Sequence, residues 1–406
     1  MKICHITNFW PNYHGHAHYT ENLIDGVRTH DAAKHFVCGE GNTAAHESES
    51  YIAAPVWSRD GDYVETITAH LRSIGAEIAI VQYSNDLFGD DNRLPRLLAS
   101  LEAAGVRSIV VNHSIYPETW KTRYQPGADA AHFDRAVAGA ASCMVVHSER
   151  MRRDLVSRGV SSRNVVVIPH GSKAMERRDP AESRRELGLP EGAPVVLFFG
   201  FIWLGKGLDF LLDVFARVKR RLPQTWFYIG GYTRQKVFYT KAYMAYLKAR
   251  MWSLGIAKQT RLFGDYVPDE RVPTIYSAAD VVAMPYNQPY SSVSGVVHQT
   301  AGIGKLMLCS QIPKFDEVEQ YISPDLVVPH DDKRAWSDQL VRLLTDASHA
   351  ETMRARIERF AAETSWPVVA KRHVELYRAL LAGQDAASIG AQWTGQEEVV
   401  PLRFAA

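Results

Sequence analysis

The stretch FFGFIWLGKGLDFLLDVF, residues 198–215, decides the fold. An apolar run ends at Gly200, a short loop carries Lys206 and Gly207, and apolar residues then recur at Leu208, Leu211, Leu212 and Phe215. That three-and-four spacing is one face of a helix, so the segment reads as a strand, a tight loop and a helix over 208–221. In doubly wound sheets ligands bind beyond the carboxyl ends of the strands, where a lysine can neutralise phosphate. A lysine solvated beside a turn glycine fits this one segment equally well.

Outward from it the same alternation repeats. KICHIT (2–7), HFVCG (35–39), EIAIVQ (77–82), SIVVNH (108–113), CMVVHS (143–148) and VVVIP (165–169) read as buried strands of a first half. VVLFFG (195–200), TWFYIGG (225–231), RLFG (261–264), VVAMP (281–285) and LMLCS (306–310) do so in a second. Amphipathic stretches such as 20–30 and 91–104 lie between, which predicts α/β architecture with parallel sheets covered on both faces. Charge and proline replace apolar periodicity over 175–194, so the expected division is residues 1–178, an acceptor-binding domain, and 179–365, a nucleotide-sugar-binding domain. A helix at about 366–381 completes the first domain, and 382–406, polar and small, is expected to be loosely ordered.

Composition narrows the function classes. The chain has 406 residues, 46 basic against 45 acidic, which argues against wholesale nucleic-acid binding. Its four cysteines are far apart without CxxC spacing, as suits reduced thiols, and no run approaches the roughly 20 apolar residues of a membrane span. The expectation is a cytoplasmic protein.

A second stretch, SSVSGVVHQTAGIGK (291–305), follows the strand that ends at Pro285. Serines before a first helical turn are natural caps, and the amides of Ser292 to Val296 would point at an anion with the helix dipole behind them. Gly295 removes a Cβ where a diphosphate would press on the backbone. A plain cap explains this stretch alone; Lys206 in the same half favours phosphate.

In their order GFIWLGKGLDFLLDVF (200–215), TWFYIGG, RLFGDYVPDERVPTIYSAADVVAMPY (261–286) and SGVVHQTAGIGK (294–305) resemble the retaining glycosyltransferases of family four, which have the GT-B fold. NFWPNYHGHAHYTENL (8–23) is similar to their first glycine-rich loop, VVNHS (110–114) to their histidine loop, and SWPVVAKRHVELYRALL (365–381) to their closing helix. The resemblance covers about residues 1–381. It implies two Rossmann-like domains facing across a cleft, a nucleoside diphosphate sugar as donor, a UDP or GDP sugar among them, and no metal or other cofactor. By position it implies that Gly15 lets backbone approach the donor, that His113 contacts the donor sugar, and that Lys206, beyond Gly200, holds the diphosphate. It places Asp265, Tyr266 and Val267 near the nucleobase, and Ser291, Ser292, Val293, Ser294, Gly295, Val296 and Gln299 around the diphosphate and ribose.

Three charged positions of the family depart here. Its arginine five residues before the lysine falls at Phe201, and its two glutamates fall at Ser291 and Gln299; a second loop glycine falls at His16. Catalysis survives on this reading, because the main task is to stabilise negative charge on the leaving diphosphate. Gln299 can hydrogen-bond a ribose hydroxyl, Ser291 can contact a sugar, His16 can contact donor or acceptor, and Arg234 could replace the arginine. The histidines His14, His16 and His18 lack a carboxylate or cysteine to complete a metal site. A nucleotide-sugar 2-epimerase, for which only Glu118 and Asp86 offer carboxylates, and a binding protein without turnover are the alternatives.

From Val214 to Gly264 there are 11 basic and no acidic residues. Within that span residues 236–254 are expected to form a helix with Tyr239, Tyr243 and Tyr246 on one face and Lys241 and Lys248 opposite. This suits peripheral contact with the inner face of a membrane and a lipid-linked acceptor, and equally a half-buried surface helix.

Overall fold

The computed structural model describes residues 1–11, 15–233, 238–264, 266–386, 388–390 and 393, and the side chains of these except at 86 and 238–240. Its strands are β1 Lys2–Thr7, β2 Lys34–Glu40, β3 His46–Glu47, β4 Ile52–Trp57, β5 Ile78–Tyr83, β6 Arg107–Asn112, β7 Ser114–Ile115, β8 Cys143–Val146 and β9 Val165–Val167. Then come β10 Val195–Phe199, β11 Trp226–Gly230, β12 Thr260–Phe263, β13 Val281–Met284, β14 Ser291–Ser292, β15 Leu306–Ser310 and β16 Val327–Val328. The chain divides into two compact units, the first made of 1–171, 290–293 and 366–406, the second of 172–289 and 294–365.

The first unit holds a sheet in the order β3-β4-β2-β1-β5-β6-β8-β9, parallel except for β3. All six residues of β5 are buried, as expected of a central parallel strand covered on both faces. The helix Trp366–Leu381 packs on one of those faces with Tyr19, Leu23 and Val27 of the helix Gly15–Arg28. A Cβ on Gly26 would stand 2.7 Å from that of Ala370, so glycine there permits the close approach of the two helices. The segment after 381 is not wholly loose: Ala386 and Ile389 are buried in the same core. Residues 391–392 and 394–406 lie outside the described residues.

The second unit holds a six-stranded parallel sheet, β12-β11-β10-β13-β15-β16. Side chains of β10 alternate between its two faces. Val196 and Phe198 join Leu211, Leu212 and Phe215 of the helix Leu208–Arg221, while Val195 and Leu197 join Ile275 and Tyr276. Each large side chain so buried contributes about 1.5–3 kcal/mol, which is why the period-two and period-3.6 patterns of 195–221 hold one arrangement. The cysteines Cys4, Cys38, Cys143 and Cys309 are free and buried.

Candidate active site

In the second unit β10 pairs with β11 on one side and β13 on the other. The sheet order therefore reverses at β10, and the crevice of a doubly wound sheet opens beyond such a strand. The loops there meet backbone to backbone. A Cβ on Gly231 would lie 1.9 Å from the Gly200 carbonyl oxygen, and one on Gly207, which has φ +64°, would lie 2.0 Å from that of Pro285.

Lys206 ends the short turn Leu204–Lys206, and its Nζ lies 3.5 Å from the centroid of the Tyr286 ring. Burial first, and then the charge of Lys314, hold it well below the ordinary lysine range. Lys314 is itself buried, and burial brings it down to about 8 against the opposing pull of Glu317. Its neighbour Phe315 touches Tyr286, with ring centroids 5.2 Å apart. Lys206 thus lies over one ring of an aromatic pair and Lys314 adjoins the other in sequence, and desolvation disfavours the charged form of each. Sequence reasoning misses Lys314, which sits in IPKFDE (312–317) with no spacing that ties it to Lys206.

The helix that should cradle an anion is Gly295–Gly302, with Ser294 preceding it. The amide cradle is shorter than the sequence predicts. Ser291 and Ser292 form β14, antiparallel to β7, and Ser291 Oγ donates to the Asp154 carboxylate. Val293 packs against a core of the first unit. An extended Ser-Ser-Val run adds to a free strand edge more readily than it opens a helix, so the helical amides begin at Gly295. Val296 is close to Gly200, where a Cβ would meet its side chain at 3.7 Å. One turn on, Gln299 accepts a hydrogen bond from Tyr276 Oη at 3.3 Å, which leaves its NH2 to donate elsewhere.

Phe201 stands where the family's arginine would be. Its ring lies 5.1 Å from that of Tyr232, which meets Tyr266 edge-on at 5.3 Å. Val267 is buried in the core that holds Ile275 and Tyr276. Asp265 and Arg234 lie outside the described residues.

In the first unit Gly15 and His16 open the helix Gly15–Arg28. The rings of His16 and His113 are 4.7 Å apart, and the Tyr19 ring lies 4.9, 5.3 and 5.2 Å from those of His113, His147 and His170. Burial, followed by the charges of His16, His147 and His170, holds His113 well below the ordinary imidazole value. His147 and His170 escape sequence reasoning, although VVNH (110–113), VVH (145–147) and VIPH (167–170) end three neighbouring strands alike. His18 packs edge-on against Trp10, and His14 lies outside the described residues.

Residues 193–346 match the family model Glycosyl transferases group 1. The D-inositol 3-phosphate glycosyltransferase of Corynebacterium urealyticum is 32% identical over 206 residues, 50% of this chain and 47% of that protein. That of Nocardia farcinica is 28% identical over 295 residues, 71% of this chain and 62% of that protein. The match therefore spans about half to three-fifths of these relatives. Anabaena HepE, solved in complex with UDP, has a TM-score of 0.71 at 15% identity, over 92% of this chain and 99% of that one, a likeness of fold. With a doubly wound parallel sheet in each unit and the Lys206 loop at the strand where the order reverses, the chain has the GT-B fold, and its residues 193–346 resemble the glycosyl transferases group 1 family.

Proposed function

We propose that the protein is a retaining, metal-independent hexosyltransferase that moves a hexose from a nucleoside diphosphate sugar to a hydroxyl acceptor. The observation that carries this is the pair of lysines, the half-buried Lys206 beyond the carboxyl end of β10 and the buried Lys314 whose charge it feels. Lys206, Lys314 and the first amides of the helix at Gly295 receive the diphosphate, and the Gln299 NH2 donates to a ribose hydroxyl. The row Phe201, Tyr232 and Tyr266 offers flat apolar surface to the nucleobase. His113 meets the donor sugar as a hydrogen-bond acceptor. In the reaction the bond from the anomeric carbon to the diphosphate oxygen breaks. The acceptor oxygen bonds to that carbon on the same face, and its proton passes to the departing diphosphate. Two ammonium groups without an adjacent metal suffice to hold the growing charge.

The names of the relatives support a polyol or sugar acceptor carrying phosphate, and the HepE complex supports UDP. Tyr116 stacks on Tyr290 at 5.2 Å and lies 5.3 Å from the half-exposed Trp120, an aromatic surface suited to a sugar ring. Incubation with UDP-, GDP- and ADP-hexoses, with inositol phosphate and hexose phosphates as acceptors, is expected to give an α-linked product from an α-linked donor, unchanged by EDTA. Binding without transfer to any acceptor would leave a nucleotide-sugar binding protein. The epimerase alternative is not favoured, since Glu118 is exposed and the named relatives are glycosyltransferases.

A second reading concerns the helix Phe238–Ser253. The expected tyrosine face is divided in the structure. Tyr243 turns inward, its Oη donating to Asp209 at 3.2 Å, because it shares the buried stripe of Leu247 and Met251. Tyr246 (49% exposed) and Trp252 (74%) join Lys241 and Lys248 outside, and the side chain of Tyr239 is not among those described. An exposed tryptophan among alanines and lysines is the pattern of a helix lying on anionic lipid. No described helix is long and apolar enough to cross a membrane. Flotation with vesicles rich in phosphatidylglycerol is expected, and Trp252→Ala combined with Lys241→Gln and Lys248→Gln should abolish it; unchanged flotation would remove this helix from the account.

A further inference from the structure

Three adjacent parallel strands of the first unit, β6, β8 and β9, each deliver a histidine at or just past the carboxyl end: His113, His147 and His170. Between the first two runs a hydrogen-bonded line whose proton positions follow from its far end. His147 Nδ1 lies 3.0 Å from the Ile168 carbonyl oxygen, which can only accept, so that nitrogen carries a hydrogen. The Nε2 of a neutral His147 is then a bare acceptor, 3.2 Å from His113 Nδ1. His113 must therefore carry its hydrogen on Nδ1, with its own lone pair on Nε2. That lone pair faces the Gln82 carboxamide at 2.8 Å. The amide end drawn toward it is the oxygen, while the Gln82 nitrogen meets no partner among the described residues. Exchange of the two ends lets the amide NH2 donate to Nε2 and moves the amide oxygen to the place that has no partner among the described residues.

We infer that His147 is a positioning residue, which holds His113 in the Nδ1–H tautomer so that its Nε2 presents a lone pair to a hydroxyl of the substrate. This rests on the proposed contact of His113 with the donor sugar. It specifies that contact: the ring accepts from a sugar hydroxyl, in exchange with Gln82, and does not donate. The groups that face His113 reinforce the choice. His16 and Tyr19 come from the first helix, Gln82 from β5, and His147 and His170 follow β8 and β9, and none of these described neighbours is a carboxylate. A cationic His113 would have no negative partner there, and its burial keeps the ring neutral.

The test is the nitrogen spectrum of the protein labelled with 15N-histidine, His113 being assigned by its loss in His113→Asn. The wild-type protein is expected to show a protonated Nδ1 and a bare Nε2 for His113, unchanged between pH 8 and 6. In His147→Leu the proton should move to Nε2, whereas His147→Gln, whose amide oxygen can accept from Nδ1, should keep it on Nδ1. A wild-type proton on Nε2, or a tautomer that does not change in folded His147→Leu, would overturn the inference. These spectra need no turnover, so they stand apart from the transfer assay. If the wild type transfers sugar, His147→Leu should lower kcat at least tenfold and His147→Gln should restore most of it; equal rates in all three would also overturn it.

Discussion

Lys206→Met is expected to lower the rate of transfer by about 100- to 1000-fold, the effect of removing one group that stabilises charge on a leaving atom. Methionine fills the space over the Tyr286 ring without the ammonium, so packing is kept and the cost of a half-buried cation beside Lys314 is relieved. The variant should therefore melt no lower than the wild type, which separates lost chemistry from lost fold. A transfer rate within threefold of the wild type would end the role assigned to Lys206. The lysine pair also gives a pH signature. Without ligand both groups lie below the ordinary lysine value, Lys314 at about 8, and an incoming diphosphate favours their charged forms. Binding then takes up protons, so donor affinity should fall as pH rises through 8. Calorimetry in buffers of different ionisation enthalpy reads that uptake directly, and Lys314→Met should abolish part of it.

The second large effect belongs to the first unit. His5, His35 and His373 are buried there; His5 Nε2 lies 3.2 Å from His35 Nδ1, and His373 lies between the hydroxyls of Tyr19 and Tyr377 at 3.5 and 3.3 Å. Burial holds His5 well below the ordinary imidazole value, His35 at about 4 and His373 at about 3. Unfolded histidines gain protons below about pH 6.5, while these stay neutral in the fold. Stability from them is complete above that pH and is lost as pH falls toward 4. Each imidazole adds a slope of about 1.4 kcal/mol per pH unit, the three together about 4, which is a large part of a typical domain's stability. The urea midpoint of the first unit, followed by amide exchange, should drop steeply between pH 6.5 and 5, and His35→Gln should flatten the drop. An equal midpoint at pH 7 and pH 5 would mean that these histidines take protons within the fold.

Much of this was legible from local pattern. The strand at 195–199, its loop and the helix at 208–221 follow from side-chain period, since two apolar faces of a central strand and one stripe of a helix leave few other ways to be covered. Lys206 was legible because its loop lies between them. The serines were only half legible: Ser294 and Gly295 do precede and open a helix, yet Ser291 and Ser292 are drawn into a strand by β7, more than 170 residues earlier, and no local signal reports that edge. The two clusters on which the proposed chemistry rests were not legible. Lys314 and Lys206 are 108 positions apart, and His113, His147 and His170 come from three separate strands.

The sequence by itself determined the parallel sheets, the helices that cover them and the loop that carries a lysine to a strand end, because burial of apolar faces is set by spacing along the chain. Only the tertiary structure decided which polar groups meet inside those faces: the second lysine near the first, the serine strand against its partner, and the line of imidazoles that ends on a carbonyl. Desolvation acts on neighbours in space, and neighbours in space are what the order of the strands creates.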